Sequence, residues 1–509
     1  MSGFATGIPN ACCGRERFKN SDGVVSEMTN RRVFLAGLSG IVASLPTNAL
    51  AEFATPAKQF ALTAGSGMAS LIGKNRPTTK VWCYDGRVPG PEIRVHQGEP
   101  VRILVKNSLS EGTTVHWHGI RLPIAMDGVP GISQPLIKPG ETFTYEFTPP
   151  DAGTFWYHPH ADSLQQLGRG MAGALIVEEI QPVPVDRDIV WMLADWRLTS
   201  DGQIASGFGN GMEAAMSGRV GNTVTVNGVI SEAEPVRAGE RIRLRLVNSS
   251  LARIMALRFE RHRPIIVAID GQPCDPHEPD GGRILLGPAM RVDLALEMHG
   301  EPGERYRVVD DFYEGLSYWV TQLSYSSAPP LRAHALDPHL TLPPNPVLEP
   351  DLGTAERHIV TLEGGMMGGM GMGGMMGGGM MGGGMMGQGM MGSMMSGRAV
   401  WAMNGTSMNG DGQSDMPPLL KLQLKNSYVL SLRNDTAWWH PMHLHGHSFR
   451  VVSRNGTPVP HRQWADTVLV PPKETTEIAF VADNPGDWML HCHVTDHQVS
   501  GMMATLRVA

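Results

Sequence analysis

Apolar and polar residues alternate in three similar stretches of this chain, and each stretch predicts a strand, a turn and a second strand. The copies run over residues 85–107, 227–248 and, more loosely, 404–434. Alternation of this kind is typical of half-buried antiparallel sheet, because neighbouring side chains on a strand point to opposite faces. Similarity at such long spacing indicates repeated domains rather than a solenoid. We therefore expect an all-β chain built from three β-sandwich domains.

Domain boundaries follow from the repeats and from two proline-rich linkers, at residues 181–184 and 329–350. We place the domains at 56–180, 185–330 and 355–509, which agrees with the roughly three domains expected for 509 residues. High glycine (61) and proline (38) contents also favour β-structure. A net charge of −7 gives no positive footprint for nucleic acid or an anionic membrane, so neither is expected as a partner.

Residues 1–51 are predicted to be an N-terminal extension and a twin-arginine signal peptide. Arg31-Arg32 precedes an apolar stretch that ends near Leu45, and Ala49-Leu50-Ala51 offers a small-residue cleavage site; Met28 is an alternative start. The apolar stretch is shorter than the ~20 residues that span a membrane, so we expect a periplasmic protein without a span.

Three cysteines remain in the mature chain: Cys83, Cys274 and Cys492. Cys83 and Cys274 form either a disulfide or two free thiols, and we favour the free thiols.

The first and third copies carry histidine pairs of the form His-x-His, and the second copy carries none. Each pair presents two imidazoles on one strand face. Eight imidazoles are too many for one ion; they suit a three-metal cluster with three, three and two ligands. The middle domain is then a spacer, and the outer domains must meet at the cluster. The pairs are His116/His118, His158/His160, His443/His445 and His491/His493.

Cys492 lies between His491 and His493, so on a strand it must face the other way. It therefore predicts a second, mononuclear site, for which the natural partners are His440, His497 and Met502. Two imidazoles, a thiolate and a thioether form the donor set of blue copper sites.

With these motifs the chain resembles the three-domain bacterial multicopper oxidases, close to the copper-resistance and copper-efflux oxidases and the bacterial laccases. The motifs are His116-Trp117-His118-Gly119, His158-Pro159-His160, the run 440–446 and His491-Cys492-His493 with His497 and Met502. The resemblance implies cupredoxin-like Greek-key domains and four copper ions. Electrons from a reductant would pass from type 1 copper through Cys492 to His491 and His493, and four of them would reduce O2 to water.

By the same resemblance, each copper has its own ligands. Type 1 copper takes His440, Cys492, His497 and Met502; type 2 takes His116 and His443; one type 3 ion takes His118, His158 and His493, and the other takes His160, His445 and His491.

Proton delivery is assigned to Asp127, which matches an acid that the family places beside the cluster. Bacterial relatives often carry a glutamate directly after the second type 1 histidine, where this chain has Gln498. An amide cannot relay a proton as an acid, and Asp496 is a candidate substitute.

Residues 364–397 consist almost entirely of glycine and methionine. Thioethers are soft ligands that suit Cu(I), and the copper-efflux oxidases carry a Met-rich insert in this region. We therefore expect a monomeric periplasmic cuprous oxidase with side activity on phenols. One alternative is a laccase-type oxidase of phenols or aromatic amines with a copper-scavenging insert; a remote one is a non-catalytic copper-binding scaffold.

Overall fold

The computed structural model describes residues 57–332, 336, 340–366, 400–411 and 416–509. The predicted signal peptide and the Met-rich insert beyond Met366 lie outside these residues. The described chain from residue 57 onward belongs to one packed unit. No helix within it is both long and apolar enough to cross a membrane.

Almost all regular structure is β-strand, in three successive sets. The first set is β1 Lys58–Ala69, β2 Thr79–Tyr84, β3 Ile93–His96, β4 Val101–Asn107, β5 His116–His118, β6 Thr142–Phe147, β7 Gly153–His158 and β8 Gly173–Glu178. The second is β9 Arg187–Trp196, β10 Thr223–Val226, β11 Glu234–Val236, β12 Arg241–Asn248, β13 Met255–Phe259, β14 Ile265–Ile269, β15 Gln272–His277, β16 Ile284–Leu286, β17 Arg291–Glu297, β18 Arg305–Asp310 and β19 Tyr318–Tyr325.

The third set follows the second linker. It is β20 Glu356–Gly364, β21 Trp401–Met403, β22 Met408–Asn409, β23 Leu420–Leu422, β24 Ser427–Asn434, β25 His440–Leu444, β26 Phe449–Arg454, β27 Thr457–Pro458, β28 Trp464–Ala465, β29 Thr467–Val470, β30 Thr475–Val481, β31 Gly486–Cys492, β32 Ser500–Gly501 and β33 Met503–Val508. The α-helices are short: α1 Ser163–Gly168, α2 Gly211–Ala214 and α3 Thr495–Val499.

Each set forms two main sheets, and no sheet of the described residues mixes strands from different sets. The first set has the orders β2-β1-β4-β6 and β3-β8-β7-β5, and the second has β10-β9-β12-β17-β14-β15 and β11-β19-β18-β13-β16. The third has β21-β20-β24-β30-β26-β27 and β23-β33-β31-β25-β29, with a small β22-β32 ladder. The expected all-β class with three cupredoxin-like sandwiches is confirmed.

The sequence repeat corresponds to one strand in each sandwich: β4, β12 and β24. Each of these strands lies between a parallel neighbour (β1, β9 or β20) and an antiparallel one (β6, β17 or β30). Each copy opens on a tight turn in which both residues have positive φ, the conformation that Asn-Gly and Asp-Gly tolerate best. These turns are Asp85-Gly86, Asn227-Gly228 and Asn404-Gly405.

A buried asparagine ends each repeated strand and makes the same pattern of hydrogen bonds in all three sandwiches. Its side-chain oxygen accepts from the backbone N–H two residues on, and its amide group donates to carbonyls of two other segments. In the third sandwich Asn434 donates to the carbonyls of Trp438 and Val470, at 2.7 and 3.1 Å. It therefore fixes the loop that leads directly into His440.

The histidine pairs lie on paired strands. In the first sandwich β5 and β7 are antiparallel neighbours, so that His116 is opposite His158. In the third, β25 and β31 pair in the same manner, with His443 opposite His491 and Met442 opposite Cys492. The three cysteines among the described residues, Cys83, Cys274 and Cys492, are free thiols, as favoured above.

Candidate metal centres

Eleven predicted donors, ten histidines and Cys492, gather into four buried groups of three. Within each group the donor atoms lie within 4.8 Å of one another. The groups are His116, His118 and His443; His118, His158 and His493; His160, His445 and His491; and His440, Cys492 and His497. The structure therefore brings together the sets expected from the sequence, with His118 shared between two of them.

In the three all-histidine groups, hydrogen bonds hold one nitrogen of most rings and leave the other facing the group. His158 and His491 each donate from Nδ1 to a carbonyl of the adjacent residue, at 3.1 Å. The free Nε2 atoms then face inward: that of His491 lies 3.0 Å from Nε2 of His445. Such bonds fix both the tautomer and the orientation of a ligand ring.

Asp127 joins one histidine of the first sandwich to one of the third. One carboxylate oxygen lies 2.8 Å from Nδ1 of His445, the other lies 3.2 Å from Nδ1 of His116, and the Asp127 carbonyl accepts from His116 at 2.8 Å. Burial raises the pKa of this carboxyl, but the imidazoles of His445 and His116 lower it further, so the pKa lies well below its ordinary value. Asp127 is therefore an acceptor that orients both rings.

Asp466 contacts His118 and His443, which are the pair partners of the two histidines that Asp127 contacts. Its carboxylate lies 3.1 Å from Nε2 of His118, and its carbonyl accepts from Nδ1 of His443 at 2.9 Å. The fully buried guanidinium of Arg291 binds the same carboxylate, with Nη1 2.8 Å from Oδ1. Burial raises the pKa of Asp466, and Arg291 lowers it further, to below its ordinary value.

The fourth group lies on the opposite side of β31. Sγ of Cys492 is 3.5 Å from Nδ1 of His440 and 3.6 Å from Nδ1 of His497. The other ring nitrogens are held away from the sulfur: Nε2 of His440 is 2.8 Å from the hydroxyl of Thr436. Met502 is fully buried. Two backbone hydrogen bonds of 3.0 Å place it beside these residues: its N–H donates to the His497 carbonyl, and its carbonyl accepts from the Cys492 N–H.

The C-terminal end of α2, from the middle sandwich, covers this fourth group. Three successive carbonyls there accept hydrogen bonds from the third sandwich, which satisfies groups that a helix end leaves free. Ala214 accepts from the Trp401 indole (2.6 Å), Ala215 from the Met366 N–H (2.7 Å) and Met216 from Nε2 of His497 (2.7 Å).

Trp401 and Trp438 complete the cover. The Trp401 ring packs against both imidazoles, with centroids 4.3 Å from His497 and 5.1 Å from His440. The Trp438 indole donates to the Met366 carbonyl at 3.0 Å. Met366 is the last described residue at the start of the Met-rich insert (364–397), and this start of the insert therefore lies beside the cover of the Cys492 group.

Comparisons with known proteins assign the family. Models described as multicopper oxidase match residues 67–182, 187–320 and 385–509, which together cover most of the chain. A crystal structure of a multicopper oxidase from Pseudomonas thermotolerans is 34% identical, with a TM-score of 0.76 and coverage of 89% of this chain and 99% of that one. This chain is a multicopper oxidase.

Curated relatives agree with this assignment. Multicopper oxidase MmcO of Mycobacterium tuberculosis is 29% identical over 92% of this chain and 91% of its own length. Copper resistance protein A of Escherichia coli is 28% identical over 94% of this chain and 99% of its own length. The similarity thus extends over nearly the full length of both relatives.

The donor chemistry fits the copper that the family implies. Ring nitrogens of His116, His160, His443 and His493 are buried without a hydrogen-bond partner, a costly state that metal ligation removes. Burial lowers the pKa of His160 and of His497 to about 3, so both rings are neutral, which is the form that binds metal. Burial also raises the pKa of the Cys492 thiol, so a thiolate at this position needs a cation beside it.

Among the described contacts, neither the Asp496 nor the Gln498 side chain has a hydrogen bond to a histidine of the four groups. The Asp496 carboxylate accepts from the Arg219 N–H of the middle sandwich at 2.8 Å, and burial raises its pKa to about 6. Gln498 is buried, and its amide nitrogen has no described partner. His447, which follows the ligand run, packs on Phe480 and belongs to none of the four groups.

Several residues of this multicopper oxidase site were not found by sequence reasoning. Asp466 and Arg291 carry no metal-ligand spacing, and the α2 carbonyls carry no side-chain signature at all. Among the described residues the middle sandwich supplies no member of the four groups, yet it contacts the site through Arg291 and through Met216.

Proposed function

We propose that this multicopper oxidase holds four copper ions and couples one-electron oxidation of a reductant to four-electron reduction of O2 to water. The observation that carries the proposal is the four buried donor groups: three built from histidines of both outer sandwiches, and one built around Cys492. The ligands would be those given above: type 1 at His440, Cys492, His497 and Met502; type 2 at His116 and His443; type 3 at His118, His158 and His493 and at His160, His445 and His491.

When bound, copper supplies reversible one-electron chemistry, and the chain supplies geometry and connection. Cys492 is joined covalently to His491 and His493, so the path between the two sites is a few bonds of one strand. Asp127 and Asp466 hold four of the histidines in fixed orientation, which keeps rearrangement small during electron transfer. We also assign Asp127 to proton delivery, because it matches an acid that the family places beside the cluster and its carboxylate contacts the rings of His116 and His445.

Cu(I) is the reductant that the site supports best. The outer nitrogen of His497 is bonded to the Met216 carbonyl, and the Trp401 ring covers the same imidazole, so an organic molecule has no free edge of this ring to bind. The backbone of Met366 is fixed beside the His497 ring by its bond to the Ala215 carbonyl. Met366 belongs to a segment rich in thioether groups, which are soft ligands that suit Cu(I). The similarity to copper resistance protein A agrees with a role in copper tolerance.

A second candidate, oxidation of phenols, has its own structural support. A cleft of about 550 Å³ lies beside the Cys492 group and is lined by Phe312, Tyr313, Trp438, Trp439 and Val494. Aromatic walls favour a flat aromatic substrate. We therefore keep phenol oxidation as a side activity, with electrons entering across Trp438 and Trp439 rather than at the edge of His497.

The remaining parts of the proposal concern location and organisation. We infer export to the periplasm through a twin-arginine signal within residues 1–51, a monomeric mature chain, and domains at 56–180, 185–330 and 355–509. Residues 364–397 would form the Met-rich insert of the third domain.

The test is metal analysis and spectroscopy of the purified, copper-loaded protein. We expect about four copper ions per chain, an intense blue absorption from one Cu–thiolate bond, one type 2 electron paramagnetic resonance (EPR) signal and O2 consumption when Cu(I) is added. One copper per chain with blue colour alone, or no O2 uptake with any reductant, would refute the proposal.

A further inference from the structure

Arg291 lies where the three sandwiches meet. It begins β17 of the middle sandwich and is fully buried. Its Nε donates to the carbonyl of Thr154 in the first sandwich at 3.1 Å, and its Nη1 donates to Asp466 of the third at 2.8 Å. Its own backbone N–H donates to Asp270 at 2.8 Å.

The middle sandwich holds the backbone of Asp466 as well as its side chain. The second oxygen of the Asp270 carboxylate accepts from the N–H groups of Asp466 (3.2 Å) and Thr467 (2.9 Å). The carbonyl and the carboxylate of Asp466, which bond His443 and His118, are therefore both positioned by residues of the middle sandwich.

Gly119 makes room for this arrangement. It directly follows His118 and has φ +87°, and a Cβ at this position would collide with the Arg291 guanidinium and the Asp466 carboxylate. The backbone that directly follows His118 therefore approaches the Arg291–Asp466 ion pair at a distance that only glycine allows.

We propose that Arg291 is a positioning residue for the copper cluster: through Asp466 it fixes the tautomer and ring orientation of His118 and His443. The inference rests on the proposed function, and it gives the ligand-free middle domain a specific part in building the cluster. Residues that orient ligand histidines affect metal affinity by about 10- to 100-fold when changed.

The test compares Arg291→Lys and Arg291→Gln with a matched control, Arg243→Lys. Arg243 is equally buried on the neighbouring strand β12 and pairs with Glu179 and Asp293, both at 2.7 Å, and its described bonds reach no histidine. The control therefore measures the general effect of disturbing a buried ion pair of the same sandwich.

We expect the two Arg291 variants to keep the blue absorption of the wild type but to change the hyperfine splitting of the type 2 EPR signal. They should also lose cluster copper to a chelator about 10- to 100-fold more readily. Arg243→Lys should match the wild type in all three measurements. If the Arg291 variants do not fold, Asp466→Asn is expected to show the same type 2 change with the blue absorption retained.

Unchanged type 2 hyperfine splitting and copper retention in the folded variants would overturn this inference alone, as would equal losses in Arg243→Lys. A wild-type protein without a type 2 signal would instead overturn the proposed function, and this inference with it.

Discussion

Nε2 of His497 donates a hydrogen bond to the carbonyl oxygen of Met216, 2.7 Å away. The bond joins a proposed type 1 ligand to the end of α2 in a different sandwich. It occupies the outer ring nitrogen of His497 and places the end of α2 directly over this imidazole. The proposed type 1 site thus combines a covered histidine with a Met-rich segment that starts beside it.

Replacement of Trp438 should slow the oxidation of Cu(I) without changing copper binding at the Cys492 site. Trp438→Phe removes the indole N–H that bonds the Met366 carbonyl. A hydrogen bond of this kind contributes about 0.5–1.5 kcal/mol, so we expect Cu(I)-dependent O2 uptake to fall by roughly 2- to 10-fold at subsaturating Cu(I). The control is Trp439→Phe, whose ring packs on Phe312. Equal effects of the two substitutions would show that the bond to Met366 is not what matters.

Replacement of Trp439 should instead slow the oxidation of phenols. Its ring lines the aromatic cleft and packs edge-to-face on Phe312, with centroids 5.7 Å apart. Since an aromatic contact is worth about 0.5–1.5 kcal/mol, Trp439→Ala should lower kcat/KM for a methoxyphenol by roughly 2- to 10-fold and leave Cu(I) turnover unchanged. A phenol activity that is indifferent to this substitution would place phenol oxidation elsewhere on the molecule.

Cys492→Ser should separate the two copper sites. A hydroxyl is a poor ligand for a soft metal site, so the blue colour and all turnover should disappear, while the type 2 EPR signal and about three copper ions remain. Cys274→Ser is the matched control, because Cys274 is also a free thiol but lies outside the donor groups. Blue colour that survives in Cys492→Ser would contradict the assignment of the mononuclear site.

Asp127→Asn tests the proton-delivery assignment. The amide keeps one acceptor oxygen for the two histidine rings but cannot act as an acid. We expect kcat for O2 reduction to fall by ~100-fold or more while copper content stays near four. Loss of cluster copper with near-normal turnover per remaining copper would make Asp127 a ring-orienting residue only.

The parts of the site visible in the sequence are those that follow strand periodicity. His-x-His pairs put both rings on one face, and Cys492 between two histidines faces the other way, so spacing predicts a histidine cluster and a separate cysteine site. The division of the ligands among individual copper ions is implied by the family resemblance instead. The repeat around Asn107, Asn248 and Asn434 likewise identified the three sandwiches. Both features depend on local geometry that two or three neighbouring residues determine.

The parts that were not predicted depend on contacts between distant segments. Asp466 reaches His118 across 348 positions, and no spacing rule connects them. Without a histidine motif, the middle domain is predicted from the sequence to be a spacer, but it contributes the Arg291 guanidinium and the end of α2 to the site. Backbone carbonyls such as that of Met216 exist at every residue, so only the fold shows which of them cover a site.

We propose that the Met-rich segment delivers Cu(I) to the Cys492 site. The structure allows a clean deletion, because the Gly365 N–H bonds the Val400 carbonyl at 3.2 Å, so a short Gly-Ser linker can replace most of residues 368–398 without moving either strand. A second version keeps the length of the segment but replaces its methionines with leucine, which removes the thioethers alone.

The deciding measurement is O2 uptake by all three copper-loaded proteins with Cu(I) and with a methoxyphenol. We predict rapid Cu(I) turnover in the full chain, a marked fall in both altered versions, and phenol turnover that is unchanged with leucine and higher in the deletion. Cu(I) turnover unaffected by either change, with phenol the better substrate throughout, would contradict this account and identify the protein as a laccase with a copper-scavenging insert.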